Sequence, residues 1–312
     1  MPAPCAYLLQ IFPESYIIFG LEFLSNLDKK LCYNSLMSTA IPSYINAELH
    51  YSCVGTGPDI LLVHGWMSSG RMWSGLSNAL AGHARFWSVD LCGFGDSPLP
   101  DADGFVPDLE HHAAMLIEFC SAHGIRPQAI IGHSMGGMLA LKLAVIRPDL
   151  MDQLVLMSPV VSGRFGKFIE LNRIIASDIG QAAMAHSKPI WSLFQSDIMD
   201  VFTPTLMMPW FTHAEAAARI RQDFKRTSWQ AAAYAIESIA RENMQPYLDQ
   251  ITHPTLVIIG SRDATVPPRE GRMAARQLLN GQLLEIPAIY HQPLDECPDQ
   301  VINAVQNFLS NI

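Results

Sequence analysis

Three residue types that together perform acyl transfer occur in this chain where a parallel sheet could bring them together. Ser134 sits in Gly-His-Ser-Met-Gly, between Gly132 and Gly136, where the apolar run 129–131 ends and a helical pattern over 138–145 begins. Strand, tight turn and helix in that order form a nucleophile elbow. Its glycines let two elements cross closely around a strained serine. A serine hydroxyl is a weak nucleophile near neutral pH, so it needs an imidazole to take its proton and a carboxylate to orient that imidazole. Asp263 follows the apolar run 256–259, and His291 follows the run 283–286. Both positions lie in loops after expected strands, the end of a parallel sheet where active sites assemble.

An oxyanion developing at an attacked carbonyl requires two backbone N–H donors. Met135, directly after the serine, is the first candidate. The second is Trp66, in the His64-Gly65-Trp66 loop that follows the run 60–63, since Gly65 permits a close backbone approach. His64 is read as a brace for that loop. His133 is read as an unsuitable base, because adjacent residues in an elbow face different ways.

The elements that must position these groups follow from the periodicity. Short apolar runs at 60–63, 86–91, 129–131, 154–157, 256–259 and 283–286 alternate with helical patterns at 70–81, 106–123, 135–147, 269–279 and 298–310. That rhythm predicts an α/β fold with a mostly parallel sheet flanked by helices. Residues 41–54 read as a β-hairpin turning near Asn46, so antiparallel strands come first. Between 158 and 252 the rhythm breaks, and helical patterns at 166–186, 189–201, 213–224 and 226–243 predict a helical cap inserted between strands. The expected organisation is therefore a leader (1–36), a core (37–158 and 252–312) and a cap (159–251). Within the cap, Trp191, Phe194, Met207 and Trp210 are candidates, with Trp66, to line an apolar substrate pocket; packing within the cap is the competing role for such residues.

Composition narrows the classes of function. The 312 residues are 49% hydrophobic and only 16% charged, as suits a sheet covered on both faces. A net charge of -9 argues against nucleic acid. Six cysteines without a Cys-x-x-Cys pair suggest neither a disulfide scaffold nor a metal centre, and no cofactor is expected. No apolar stretch reaches the roughly 18 residues of a membrane span, and the first basic residue is Lys29, so a cytoplasmic location is expected by default. The leader either precedes a true start at Met37, the preferred reading, or is an amphipathic segment that packs on the domain or touches a membrane.

Taken together, His64-Gly-Trp66, Asp90-Leu-Cys-Gly-Phe-Gly-Asp-Ser97, Gly132-His-Ser-Met-Gly-Gly137, Gly260-Ser-Arg-Asp263 and His291 resemble the α/β-hydrolase superfamily over about residues 48–312. The order Ser134, Asp263, His291 is that of its triad. Within it, the loop and cap are similar to the carboxylesterases that demethylate pimeloyl-carrier-protein esters. The resemblance implies a serine ester hydrolase acting on a small to medium apolar acyl group, in an ester, thioester or lactone. Haloalkane dehalogenases and epoxide hydrolases of this fold use an aspartate nucleophile, so Ser134 argues against them. Cofactor-free haloperoxidases, carbon–carbon bond hydrolases and a ligand-binding receptor on the same fold stay open as alternatives. An acyl carrier protein is a further candidate partner through Arg219, Arg221, Lys225 and Arg226, although such a run is more often a solvated helix face.

Overall fold

The structure is a computed structural model, and it describes residues 48–100, 105–164 and 214–310. Seven strands form a single sheet: β1 (Tyr51–Gly55), β2 (Asp59–Val63), β3 (Arg85–Val89), β4 (Ala129–His133), β5 (Gln153–Met157), β6 (Thr255–Gly260) and β7 (Gly281–Ile286). Their spatial order is β1-β3-β2-β4-β5-β6-β7. All neighbours run parallel except β1, which lies antiparallel to β3 with Tyr51 opposite Val89. The chain winds outward from β2 to β3, then crosses back to β4 on the other side. That reversal opens a crevice beyond the carboxyl ends of β2 and β4.

The first half of the expected hairpin lies outside the described residues, and of its second half residues 48–50 are not strand. The strand at 51–55 takes β3, more than thirty residues later, as its antiparallel partner. Alternating burial announces a strand but carries no information about which strand it joins.

Helices cover both faces. They are α1 (Ser74–Leu80), α2 (Leu109–Ala122), α3 (Met135–Ile146), α4 (Ala214–Arg226), α5 (Trp229–Arg241), α6 (Pro268–Gln277), α7 (Pro293–Glu296) and α8 (Pro298–Ser310), with 3₁₀ turns at Gly70–Trp73 and Gln245–Gln250. On one face Trp73, Leu76 and Leu80 from α1 and its preceding turn, with Val301, Val305 and Phe308 from α8, pack on Ile60, Leu62, Ile131, Val155, Met157 and Ile258. On the other, α3 packs on β2, β4 and β5, and α6 on β6 and β7. Residues from both pleats of β2 and β4 are fully buried, so these strands read as continuous apolar runs. Each such side chain contributes about 1.5–3 kcal/mol, which makes the centre of the sheet a rigid platform. No helix among the described residues is long and apolar enough to cross a membrane.

Helices α4 and α5 fall between β5 and β6, at the end of the expected cap. The expected helices at 166–186 and 189–201 lie outside the described residues. Beyond β5 the outgoing chain meets the returning one: the Met244 N–H donates to the Val161 carbonyl at 2.7 Å. The outgoing segment is also pinned by Glu270 of α6, which accepts from the N–H and the hydroxyl of Ser162, each at 2.8 Å.

One feature of α3 runs against its sequence. Lys142, in an otherwise apolar helix, is fully buried, and its Nζ donates to Glu110 of α2 and to Glu242, just after α5, both at 2.7 Å. A buried ammonium is tolerable only when paired, and removing one partner of a buried ion pair is costly. Lys142→Ala is expected to lower unfolding stability by about 2–4 kcal/mol, and Lys142→Met by less because it keeps the apolar stem. Urea denaturation followed by circular dichroism checks both values.

Candidate active site

The site is built on the turn between β4 and α3. Ser134 has φ 54° and ψ −112°, a conformation that costs a non-glycine residue about 1–3 kcal/mol. Hydrogen bonds hold it there. The Ser134 N–H donates to the Met157 carbonyl, and the Ser134 carbonyl accepts from the N–H groups of Gly137, Met138 and Val160. A Cβ on Gly132 would overlap the Gly136 carbonyl, and one on Gly136 would overlap the Val63 carbonyl. Glycine at both positions is therefore what lets α3 start directly above β4 and beside the end of β2.

The two other residues expected from the sequence arrive at the same place. Asp263 lies just beyond β6, and His291 beyond β7. His291 Nε2 is 3.1 Å from Ser134 Oγ, and its Nδ1 is 2.7 Å from Asp263 Oδ2. The second carboxylate oxygen of Asp263 accepts from the N–H groups of Thr265 and Val266, both at 2.9 Å. All three residues are buried. With Asp263 fixed in this way, the imidazole carries its proton on Nδ1 and turns a lone pair towards the serine.

The loop after β2 presses against the elbow. A Cβ on Gly65 would come within 3.2 Å of the Ser134 Cβ, so the loop that carries Trp66 passes directly beside the serine. As the first residue of α3, Met135 has no intrahelical acceptor for its N–H, and among the described residues no backbone acceptor takes the N–H of Trp66. His64 accepts from the Leu91 N–H at Nε2 (2.9 Å) and donates from Nδ1 to the Gly65 carbonyl (2.7 Å), which makes it a brace. Both of its nitrogens are occupied. Of the expected pocket-lining residues, Trp191, Phe194, Met207 and Trp210 lie outside the described residues.

Several supporting residues carry no signal in the sequence. His133 donates from Nε2 to the His291 carbonyl at 2.9 Å, tying the strand before the serine to the histidine loop. Glu296 accepts from the N–H groups of Tyr290 (2.7 Å) and Gln292 (2.9 Å), the two residues flanking His291. Such contacts depend on tertiary placement, which spacing does not encode. A capping pattern at α7 would have been the one available hint.

Among the described residues, His50, Asp90 and Asp96 form a group with donor atoms close enough for a metal ion. Their oxygens are already engaged. Asp90 accepts from the Gly70 N–H at 2.6 Å and the Asp96 N–H at 2.8 Å, and Asp96 pairs with Arg226. Asp90 therefore organises the 90–97 loop.

The chain has the α/β-hydrolase fold and belongs to the α/β-hydrolase superfamily, with residues 58–181 matching the family described as the alpha/beta hydrolase fold. It is similar to the pimeloyl-[acyl-carrier protein] methyl ester esterase of Vibrio vulnificus (strain CMCP6), 24% identical over 282 residues that cover 85% of this chain and 99% of the relative. The enzyme of the same name from Neisseria meningitidis serogroup B / serotype 15 (strain H44/76) is 29% identical over 238 residues, covering 75% and 86%. Among solved structures, a thermophilic esterase from Thermogutta terrifontis superposes with a TM-score of 0.68 and 26% identity, covering 87% of this chain and 95% of that one.

Two imidazoles make a prediction about pH. Burial lowers His133 to about 3 and His112, which lies against Phe94, also to about 3. In the unfolded chain both titrate near the ordinary value of about 6.5. Below that pH the unfolded state takes up protons that the folded state refuses, so stability is full above about 6.5 and falls as pH drops towards 3. Each group steepens the loss by up to about 1.4 kcal/mol per pH unit. Calorimetry between pH 7 and pH 5 should show a falling Tm, and His112→Leu should flatten that slope by about one proton's worth.

Proposed function

We propose that the chain is a serine-dependent carboxylic ester hydrolase working through an acyl-enzyme intermediate on a small to medium apolar acyl substrate. The observation that carries this reading is the buried relay in which His291 lies 3.1 Å from Ser134 Oγ and 2.7 Å from Asp263. In the proposed reaction Ser134 Oγ attacks the ester carbonyl while His291 Nε2 takes its proton. Asp263 keeps the Nδ1–H tautomer in place and stabilises the imidazolium that forms. The N–H groups of Met135 and Trp66 are assigned to the developing oxyanion. Collapse expels the alcohol with a proton from His291. Water, activated by the same imidazole, then releases the acid and restores the serine.

The relatives' names direct the choice of substrate. They are esterases for a pimeloyl-[acyl-carrier protein] methyl ester, so a carrier-linked ester belongs in the test panel beside simple esters. The basic run in α4 adds limited support for a carrier partner. Arg219 is bound to Asp295 and Arg226 to Asp96, which commits two of the four charges to carboxylates of the chain itself.

Release of p-nitrophenol from acetate and butyrate esters is the direct test. Wild type should turn over, and Ser134→Ala should lose at least about a thousandfold in kcat. Equal, near-background rates for the two proteins would overturn the reading in favour of a receptor or another role. A series of acyl lengths, with the carrier-linked methyl ester among them, then selects the substrate class.

A further inference from the structure

Helix α4 reaches the chemistry from above through two residues one helical turn apart. Arg219 donates from both terminal nitrogens to Asp295, at 2.9 and 2.7 Å. Asp295 belongs to α7, the short helix whose Glu296 holds the amides on either side of His291. Asp223 accepts from Ser69 Oγ at 2.8 Å and from Arg71, in the loop that begins with His64-Gly65-Trp66. A third tie comes from the next helix: the Trp66 indole N–H donates to the Ala232 carbonyl of α5 at 2.8 Å.

The character of α4 says what these contacts are for. Among the described side chains of α4 the buried hydrophobic one is Ala216, whereas Asp223 is completely shielded from solvent. A helix serving only as a roof would attach more strongly through leucines, because a buried carboxylate loses hydration that its partner only repays. Charge-assisted contacts, bidentate at Arg219 and converging on one oxygen of Asp223, fix orientation and distance instead. Here they fix two loops that approach the serine from opposite sides. One brings the imidazole, the other the Trp66 N–H.

We propose that Arg219 and Asp223 are positioning residues, through which α4 sets the base loop and the oxyanion loop at the separation that ester hydrolysis needs. The inference rests on the serine-hydrolase reading above. Catalytic efficiency in this chain then depends on the seating of α4. Displacement of reacting groups by about 1 Å can cost about a hundredfold in rate, and the loss falls on kcat, because the misplaced groups act in the transition state.

Steady-state kinetics on p-nitrophenyl butyrate with Arg219→Ala, Asp295→Asn, their double variant and Asp223→Asn form the test. Each single variant should lose about ten- to a hundredfold in kcat with KM within about twofold. The double variant should be no worse than Arg219→Ala, since both changes break one link. Capture of Ser134 by diethyl p-nitrophenyl phosphate, which needs the same base and oxyanion donors, should slow in parallel. Ser69→Ala removes one bond to Asp223 and serves if Asp223→Asn does not fold. Unchanged kcat in folded variants, a loss confined to KM, or additive losses that track the melting temperature would each overturn the inference. An inactive Ser134→Ala beside fully active α4 variants would sink this inference alone, whereas an active Ser134→Ala would sink the reading beneath it.

Discussion

The strained turn at Ser134 is the constraint on which the remaining structure depends. A serine at positive φ stays there only if its surroundings hold it, and they do so from three directions. The end of β5 accepts its N–H through Met157, the first turn of α3 donates to its carbonyl, and Val160 beyond β5 donates to the same oxygen. The two glycines that flank it let the helix start within contact distance of β2 and β4. A sheet with fully buried central strands is what makes such crossings reproducible. The serine is therefore displayed at one point in space, and the loops after β2, β6 and β7 need only converge on it.

That logic explains what could be read from the chain beforehand. The elbow was legible because Gly132, Ser134 and Gly136 are local requirements of one turn, and the six parallel strands because each carries a short apolar run in the alternating rhythm. Asp263 and His291 were legible through their place after such runs. The partner of β1 was not, since burial at Tyr51 and Val54 fits any neighbour that covers that edge. Lys142 was not legible either. In sequence it looks like the one exposed residue of an apolar helix, and only the approach of Glu110 and Glu242 explains its burial. The same holds for His133, whose role comes from a carbonyl 158 residues away.

Polar contacts do the finer work over this apolar scaffold. Apolar packing tolerates small slips, whereas a bidentate guanidinium or a doubly bonded carboxylate has a narrow range of acceptable geometry. Glu296 at the histidine loop, Asp263 at its two amides and Asp90 in the loop after β3 all use carboxylates to bind backbone N–H groups. Carboxylates thus define loop shapes that no hydrophobic pattern could specify.

The bond from the Met244 N–H to the Val161 carbonyl has a bearing on descent with variation. It closes the base of the excursion that leaves the sheet after β5, so the ends of that excursion are fastened before its contents are considered. Lengthening a loop whose ends are already fixed costs little, about 0.6 kcal/mol for each doubling. The stretch upstream of α4 can therefore change in length between lineages at little cost to the sheet.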